Sequence, residues 1–285
     1  MDVSIIIVSY NTAHLIADCL ASLEASRGAE KEIFVVDNAS ADNCIELITA
    51  RFPAVKIIVN QENKGFGPAN NQALKDCRGR YVVFLNPDAT VEPDTLRKAI
   101  SYMEANQQIG LAGAKILNPD GSLQPSVSYK YPGEKFATDE IAGLQGDIAC
   151  VLGAFIIARK ELIKEIGGFD EDFFLYGEDQ DLCRRIRKTG FSIGYIEDAK
   201  VFHLGGQSEK ETAPAELFAK KIKAEYLFYQ KHYTARTIER IKKAQRLKAR
   251  YRLITLNLIS PFVRNKDKLR NKIECYKIAL NKAKS

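Results

Sequence analysis

No apolar run in this 285-residue chain reaches the roughly 18 residues that a membrane-spanning helix needs. The opening Met1-Asp2-Val3-Ser4-Ile5 carries no basic stretch and no cleavage site, and runs straight into a strand pattern. Both absences argue against spanning and exported classes, so the expectation is a cytoplasmic protein. The six cysteines, at 19, 44, 77, 150, 183 and 275, form no CxxC pair and no metal-ligand spacing. Scattered thiols of this kind are usually free, half-buried small hydrophobes. Two nucleotide signatures are missing as well. No GK[ST] follows the Gly-rich stretch near residue 65, and GxGxxG does not occur. A Walker loop and the dinucleotide fingerprint are therefore excluded. No internal repeat and no low-complexity linker divides the chain.

What is present is an ordinary globular composition with an uneven charge. Residues 216–285 hold 20 Lys and Arg against 5 Asp and Glu, a net of +15, while residues 1–215 carry a net of −9. An acidic body with a basic tail suggests an enzyme core tethered to a polyanionic surface. Residues 3–9, 32–37, 56–60 and 81–85 read as strands, and the patterns near 13–25, 42–51 and 67–77 as helices. This alternation predicts the α/β class, a parallel sheet covered by helices. A helix near 92–105 follows, with Pro93 suited to its first turn. Residues 118–147 are rich in Gly, Pro, Ser and Tyr and show no period, which marks a functional or mobile stretch such as a lid. Residues 150–158 read as one new strand, 160–166 as a short helix, and 191–196 and 200–203 as strand pieces. Beyond about residue 212 the pattern is helical and basic. The expected division is a catalytic domain over 1–211 and a helical extension over 212–285.

The strand at 81–85 stops at Asn86-Pro87-Asp88. Pro87 forces Asn86 into an extended conformation and cannot continue a ladder. Asp88 then projects from the carboxyl edge of a strand, where open α/β sheets bind ligands. A hard carboxylate there can hold a divalent cation against a diphosphate; the bland alternative is a strand-ending turn. Ser9-Tyr10-Asn11 and Asp37-Asn38-Ala39-Ser40 end two further strands at the same edge. An Asp in that place can accept from a base imide N–H or a ribose hydroxyl, whereas Asn11 or Ser40 could equally cap a helix. In Asn63-Lys64-Gly65-Phe66-Gly67-Pro68-Ala69-Asn70-Asn71 two glycines free the backbone, and exposed amides beside Lys64 would suit a nucleotide. The densest signal is Glu178-Asp179-Gln180-Asp181, after Phe173-Phe174-Leu175-Tyr176-Gly177. Either these acids merely start a helix, with Arg184 and Arg185 as partners, or aromatic walls raise one of them toward a general base. His203 ends an apolar strand. It is a satisfied structural residue, or a ligand that would tilt a metal site toward Mn2+.

In this order, over about the first 210 residues, the motifs resemble the family 2 glycosyltransferases of the GT-A fold. Ser4-Ile5-Ile6-Ile7-Val8-Ser9-Tyr10-Asn11 is similar to that family's opening strand, and Val35-Val36-Asp37-Asn38-Ala39-Ser40 to its second nucleotide-contacting strand end. The stretch 63–71 resembles its Gly-rich segment. Leu85-Asn86-Pro87-Asp88 takes the place of the DXD metal motif, with Asn86 where the first acid would stand. The segment from Gly153-Ala154-Phe155 to Gly168-Phe169-Asp170 resembles the acceptor side. Gly177-Glu178-Asp179 resembles the ED motif that carries the catalytic base. His203-Leu204-Gly205-Gly206-Gln207-Ser208 is similar to a late His motif that completes the metal site in some members. Within the family, the chain is similar to bacterial rhamnosyltransferase-like enzymes of cell-surface polysaccharides.

The resemblance implies a Rossmann-like GT-A domain, a mixed sheet flanked by helices, with a basic helical C-terminal extension. It implies an inverting transfer, dependent on Mg2+ or Mn2+, from a UDP- or dTDP-linked sugar to a hydroxyl of a glycan or lipid-linked glycan. In that scheme Ser9, Tyr10, Asn11, Asp37, Asn38, Lys64, Gly65, Asn70, Asn86 and Asp88 line the nucleotide sugar. Gly153, Ala154 and Phe155 face the acceptor, and Asp88 and His203 hold the metal. Asp179, or in its place Glu178, is the base. The basic amphipathic tail suits an anionic membrane surface, which would make the protein peripheral on the inner face of the cell membrane. A packed appendage with a solvated basic face is the alternative, and no nucleic-acid motif supports a nucleic-acid partner. Two other functions compete: a catalytically silent GT-A module binding nucleotide sugar or glycan in an assembly complex, and a nucleotidyltransferase. The intact Glu178-Asp179 and Asp88 argue against the first, and the ED and late His motifs against the second.

Overall fold

The structure, a computed structural model, describes residues 1–205 and 212–284. In chain order the elements are β1 (Val3–Ser9), α1 (Ala13–Glu24), β2 (Lys31–Asp37), α2 (Cys44–Arg51), β3 (Lys56–Val59), α3 (Phe66–Leu74), β4 (Tyr81–Leu85), β5 (Ala89–Val91), α4 (Thr95–Ala105), β6 (Ile109–Leu117) and β7 (Val127–Ser128). There follow α5 (Thr138–Ile141), β8 (Cys150–Val151), β9 (Phe155–Arg159), α6 (Lys160–Glu165), α7 (Glu178–Lys188), β10 (Ser192–His203), α8 (Pro214–His232), α9 (Ala235–Ile259) and α10 (Lys266–Lys282). The described residues fall into two compact units, one within Met1–Tyr131 and Leu144–Ser208, the other within Pro132–Gly143 and Glu209–Ser285.

The first unit is built on an eight-stranded sheet in the order β3-β2-β1-β4-β9-β6-β10-β5. β1 pairs in parallel with β2 and β4, and β2 with β3. β9 enters antiparallel between β4 and β6, β10 runs parallel to β6, and β5 closes the edge antiparallel to β10. These directions bring the carboxyl ends of β1, β2, β4 and β10 to one edge, together with the amino ends of β9 and β5. The sheet is buried on both faces. Val3, Ile5 and Ile7 of β1 pack on one side with Ile16, Leu20, Ile48 and Met103. Ile6 and Val8 pack on the other with Ala73, Phe169, Leu182 and Ile186. Double-sided burial is why β1 and β4 read as unbroken apolar runs instead of alternating ones. All six cysteines are free, five of them buried.

Several expected elements take a different form. Pro93 lies ahead of α4, whose cap position is Asp94, because its carbonyl is already committed to the amide of Arg27. The run 150–158 is two strands. β8 pairs with β7 in a separate small sheet, and the chain breaks at Leu152–Ala154 before joining the main sheet as β9. The pieces at 191–196 and 200–203 are one strand, β10, with an irregularity between Ile196 and Lys200 that keeps both ends paired with β6. The aperiodic stretch 118–147 contains β7 and α5, and its residues 132–143 belong to the second unit.

In that second unit α8, α9 and α10 pack around Ile222, Tyr226, Phe228, Tyr229, Tyr233 and Ile241. The 132–143 segment is tied to them by named bonds. The Tyr233 hydroxyl donates to the Pro132 carbonyl at 2.7 Å, and the Thr234 amide donates to Glu140 Oε1 at 3.1 Å. Gly133 has φ +70°, and a Cβ there would lie 2.6 Å from Ile241 Cδ1, so only glycine fits. Among the described residues, no helix is long and apolar enough to cross a membrane.

Candidate active site

Three loops meet the carboxyl edge of the sheet, and each contains strained backbone. Among the described residues, the non-glycine residues with positive φ are Asn11 (54°), Ala39 (65°) and Tyr176 (70°). Asn11 follows β1, Ala39 follows β2 and Tyr176 precedes α7. Such conformations cost of order 1–3 kcal/mol each and concentrate where geometry serves function.

The first two loops are tied to one another. The Asn11 amide donates to Ser40 Oγ at 3.0 Å, and the Ala41 amide donates to Asn11 Oδ1 at 2.7 Å. Neither Asn11 nor Ser40 caps a helix; the cap positions of α1 and α2 are Thr12 and Asn43. Ser9 is buried and turned inward, hydrogen-bonded to Thr12 Oγ1 and Cys44 Sγ, while Tyr10 remains 44% exposed. Asp37 is 1% exposed, with one oxygen accepting from the Ser40 amide at 3.0 Å and the other buried without a partner. An orphaned buried carboxylate oxygen costs about 1–3 kcal/mol or more unless a ligand donor meets it.

Asn38 builds the Gly-rich loop. Its amide nitrogen donates to Asn63 Oδ1 and the Gly65 carbonyl at 2.9 and 3.0 Å. Its carbonyl oxygen accepts from Asn60 Nδ2 and the Lys64 amide at 3.0 and 3.1 Å. With both ends saturated, it shapes the loop from beneath. Lys64 is exposed, and Asn70 is buried with its Oδ1 unpartnered. Gly65 has φ +88°, and a Cβ there would lie 2.4 Å from the Phe174 carbonyl. The Phe66 amide donates to that same carbonyl at 2.9 Å. The Gly-rich loop and the loop before α7 are thus locked together.

Asn71, which ends the Gly-rich stretch without an expected role of its own, anchors the second of these loops. Its amide donates to the Phe169 carbonyl at 2.9 Å and to Glu171 Oε1 at 3.1 Å, and its oxygen accepts from the Phe169 amide at 2.9 Å. Phe169 in turn stands edge-on to Phe84 of β4 at 4.8 Å. Asn71→Ala is expected to destabilise the protein by about 2–3 kcal/mol, because it strands two buried backbone groups. Chemical denaturation measures this, and a loss within experimental error would show that the loop is held elsewhere.

The turn between β4 and β5 carries Asn86 and Asp88, and the register of β10 against β5 sets His203 opposite Ala89. His203 Nε2 lies 3.3 Å from Asp88 Oδ1 and 3.3 Å from Asn86 Nδ2. Its Nδ1 lies 2.8 Å from Gln124 Oε1. A carboxamide oxygen only accepts, so Nδ1 donates to Gln124, and in the neutral ring the Nε2 lone pair is free to accept from Asn86 Nδ2, with the Asp88 carboxylate beside it. Gln124 is held in turn by its own donation to Asn118 Oδ1 at 3.2 Å. Gln124 had no sequence signal: it lies in the aperiodic stretch, 79 residues from its partner. Residues 206–208 of the late His motif lie outside the described residues.

The third station is the start of α7. Glu178 is 8% exposed, and its Oε2 is buried without a partner. Burial, and then the neighbouring Asp179 charge, push its carboxyl well above the usual range. Asp179 is half-buried, accepts from the Gln180 amide at 2.7 Å and from the Gly153 amide, and is likewise pushed upward by burial. Gly153 approaches it closely: a Cβ there would lie 3.9 Å from Asp179 Cβ. Ala154 and Phe155 point elsewhere. Both are buried in the core, and the Ala154 carbonyl accepts from the Asn86 amide at 3.1 Å. Of this trio, Gly153 stands beside the acid and Ala154 braces the Asn86 turn.

The family described as Glycosyl transferase family 2 matches residues 4–167, and the one described as N-terminal domain of galactosyltransferase matches residues 140–205. An N-acetylglucosaminyl-diphospho-decaprenol L-rhamnosyltransferase of Mycobacterium tuberculosis is 25% identical over 254 residues, 79% of this chain and 82% of its own length. A poly-beta-1,6-N-acetyl-D-glucosamine synthase of Staphylococcus epidermidis is 25% identical over 197 residues, 68% of this chain and 47% of its own. Among solved structures, S. aureus TarS in complex with UDP aligns with a TM-score of 0.56 at 19% identity, over 84% of this chain and 69% of that one. The mannosyltransferase PcManGT of Pyrobaculum calidifontis, in complex with GDP-Man and Mn2+, aligns with a TM-score of 0.61 at 18% identity, over 99% and 72%. The structural likenesses establish the GT-A fold, a mixed sheet flanked by helices. The first family match spans more than half of the sequence, and the chain belongs to the family 2 glycosyltransferases.

Proposed function

We propose that the protein is an inverting, divalent-metal-dependent enzyme of bacterial surface polysaccharide synthesis. It moves a sugar from a nucleoside diphosphate sugar to a hydroxyl of a glycan or lipid-linked glycan. The observation that carries this reading is that one sheet edge holds a cation-competent pair, Asp88 and His203, and a separate half-buried acid, Asp179, with its affinity for protons raised. The names of the rhamnosyltransferase and the glucosamine-polymer synthase support the pathway class. Relatives of known structure have been seen with UDP, UDP-GlcNAc and GDP-Man, which supports a nucleotide-sugar donor.

Asp37 accepts from a donor on the base or ribose through its unpartnered oxygen, with Tyr10, Asn11, Lys64 and the Gly65 backbone around it. The donor set at Asp88 suits a divalent ion: one carboxylate oxygen, and one imidazole whose tautomer is fixed by Gln124. Asp88 and His203 would hold Mg2+ or Mn2+, the imidazole favouring Mn2+. Among the described residues no group of three or more His, Cys, Asp and Glu stands ready for one ion, so the substrate's phosphate oxygens would complete the shell. When bound, the ion stabilises negative charge on the departing diphosphate. Asp179 takes the proton of the acceptor hydroxyl as that oxygen attacks the anomeric carbon from the face opposite the diphosphate. One base and no covalent intermediate give inversion. Glu178, more deeply buried, keeps its proton and supports the helix start. The basic extension meets an anionic membrane surface on the cytoplasmic side, where a lipid-linked acceptor would lie.

Product analysis with UDP-, dTDP- and GDP-sugars tests this. The expected products are a nucleoside diphosphate and a glycoside of inverted configuration. Pyrophosphate release would identify a nucleotidyltransferase, and binding without turnover on any acceptor would identify a silent module.

A further inference from the structure

Helix α9 buries one side against its neighbours through Ile241, Ala249 and Leu256. Its opposite side should be polar. Instead Leu247, Tyr251, Ile254 and Leu258 are 59%, 65%, 61% and 70% exposed, and Phe262, just beyond the helix, is 87% exposed. At 3.6 residues per turn the four helical positions fall within an arc of about 60°. They form one continuous apolar stripe, on the side away from Ala249 and Leu256. Isolated exposed apolar side chains need no explanation, but a continuous set marks a contact surface.

The charge around the stripe selects its occupant. Between Lys242 and Lys272 the chain has eleven Lys and Arg and a single acid, Asp267. Lys248, Arg250, Arg252, Arg264 and Lys266 are all exposed. A second copy of the chain would bring the same cations against one another, which is unfavourable across a low-dielectric contact. An anionic bilayer offers the opposite charge and an apolar interior a few ångströms below it. We propose that α9 lies in the membrane interface, with Leu247, Tyr251, Ile254, Leu258 and Phe262 inserted among the acyl chains and the flanking cations on lipid phosphates. This rests on the membrane association proposed above and assigns it to a face of one helix. It also adds insertion to what charge alone would give. Attraction by charge alone vanishes at high salt, whereas an inserted stripe retains part of its hold.

The chain has no tryptophan, so Leu258→Trp makes a single reporter without background. With phosphatidylglycerol vesicles its emission is expected to shift to the blue and to be quenched by brominated acyl chains; with phosphatidylcholine vesicles the response should be much weaker. Ile254→Asp with Leu258→Asp is expected to lower vesicle affinity about 100-fold by removing two inserted side chains. Arg250→Ala should lower it roughly five-fold, and only at low salt. Both sets of variants should bind nucleotide sugar as the wild type does, which checks that they fold. No blue shift on vesicles, or unchanged affinity in the double variant, overturns the proposal. A wild-type dimer abolished by the double variant, without vesicle binding, overturns it in favour of self-association. Absence of sugar transfer by a protein that still binds vesicles through the stripe would count only against the enzymatic reading.

Discussion

Asp179→Asn is expected to slow sugar transfer by about 100-fold or more, the scale of a lost general base, while nucleotide-sugar affinity stays near the wild-type value. The amide keeps the size of the acid, and its Oδ1 can still accept from the Gln180 amide, so the start of the helix is kept. What it loses is a site for the acceptor's proton. The wild-type rate should rise with pH, because protonated Asp179 cannot accept. Burial displaces that rise upward from the ordinary carboxylate value of about 4. The same shift has a sign for stability. A carboxyl whose pKa is higher folded than unfolded favours folding while it is protonated, and this contribution is lost as pH rises through the folded value. Asp179→Asn should therefore melt no lower than the wild type at neutral pH. Steady-state kinetics, calorimetry with the nucleotide sugar and a melting curve together check this. A variant with wild-type turnover would remove Asp179 from the role, and one that melts early would show that the acid is structural.

Asp88→Ala should abolish the dependence of nucleotide binding on Mg2+ or Mn2+. Loss of a supporting second-layer residue costs roughly 10–100-fold in metal affinity. Loss of a direct ligand should exceed that range, and Gln124→Ala should fall within it by releasing the His203 tautomer. Titration calorimetry of UDP with and without Mn2+ separates the two. Equal affinity of wild type and Asp88→Ala in the presence of the ion would leave Asp88 as a strand-ending turn residue.

The parts of this site that could be read from sequence are those set by local rules. Apolar runs ending in Asn-Pro-Asp, in Ser-Tyr-Asn and in Asp-Asn-Ala-Ser announce buried strands and their carboxyl ends, and topology then brings those ends together. What could not be read is which way a polar or apolar side chain faces once there. Asn38 and Asp37 are neighbours at a strand end, yet one is consumed by the Gly-rich loop and the other retains an open oxygen. Gly153 and Phe155 are two residues apart, and only the glycine reaches Asp179, because the chain enters the sheet between them and Phe155 becomes core. Gln124 and Asn71 act across 79 and 98 residues. No periodicity encodes pairings of that range.

The order of the strands sets when the site can exist. β2 pairs with its chain neighbours β1 and β3, while β1 also pairs with β4, Val3 opposite Tyr81, and the Gly-rich loop closes on Phe174. The proposed cation pair, Asp88 and His203, needs β10 in register with β5, and the bond from Asn86 to His203 beside it spans 117 residues. Contacts of such separation form late, since the closure entropy of the intervening chain is lost first. On the function proposed above, a nascent chain lacking its last strand would present Asp37 and the Gly-rich loop without the His203 partner of Asp88. The pairing of Asp88 with His203, to which the proposed function assigns the ion, therefore belongs to the finished sheet.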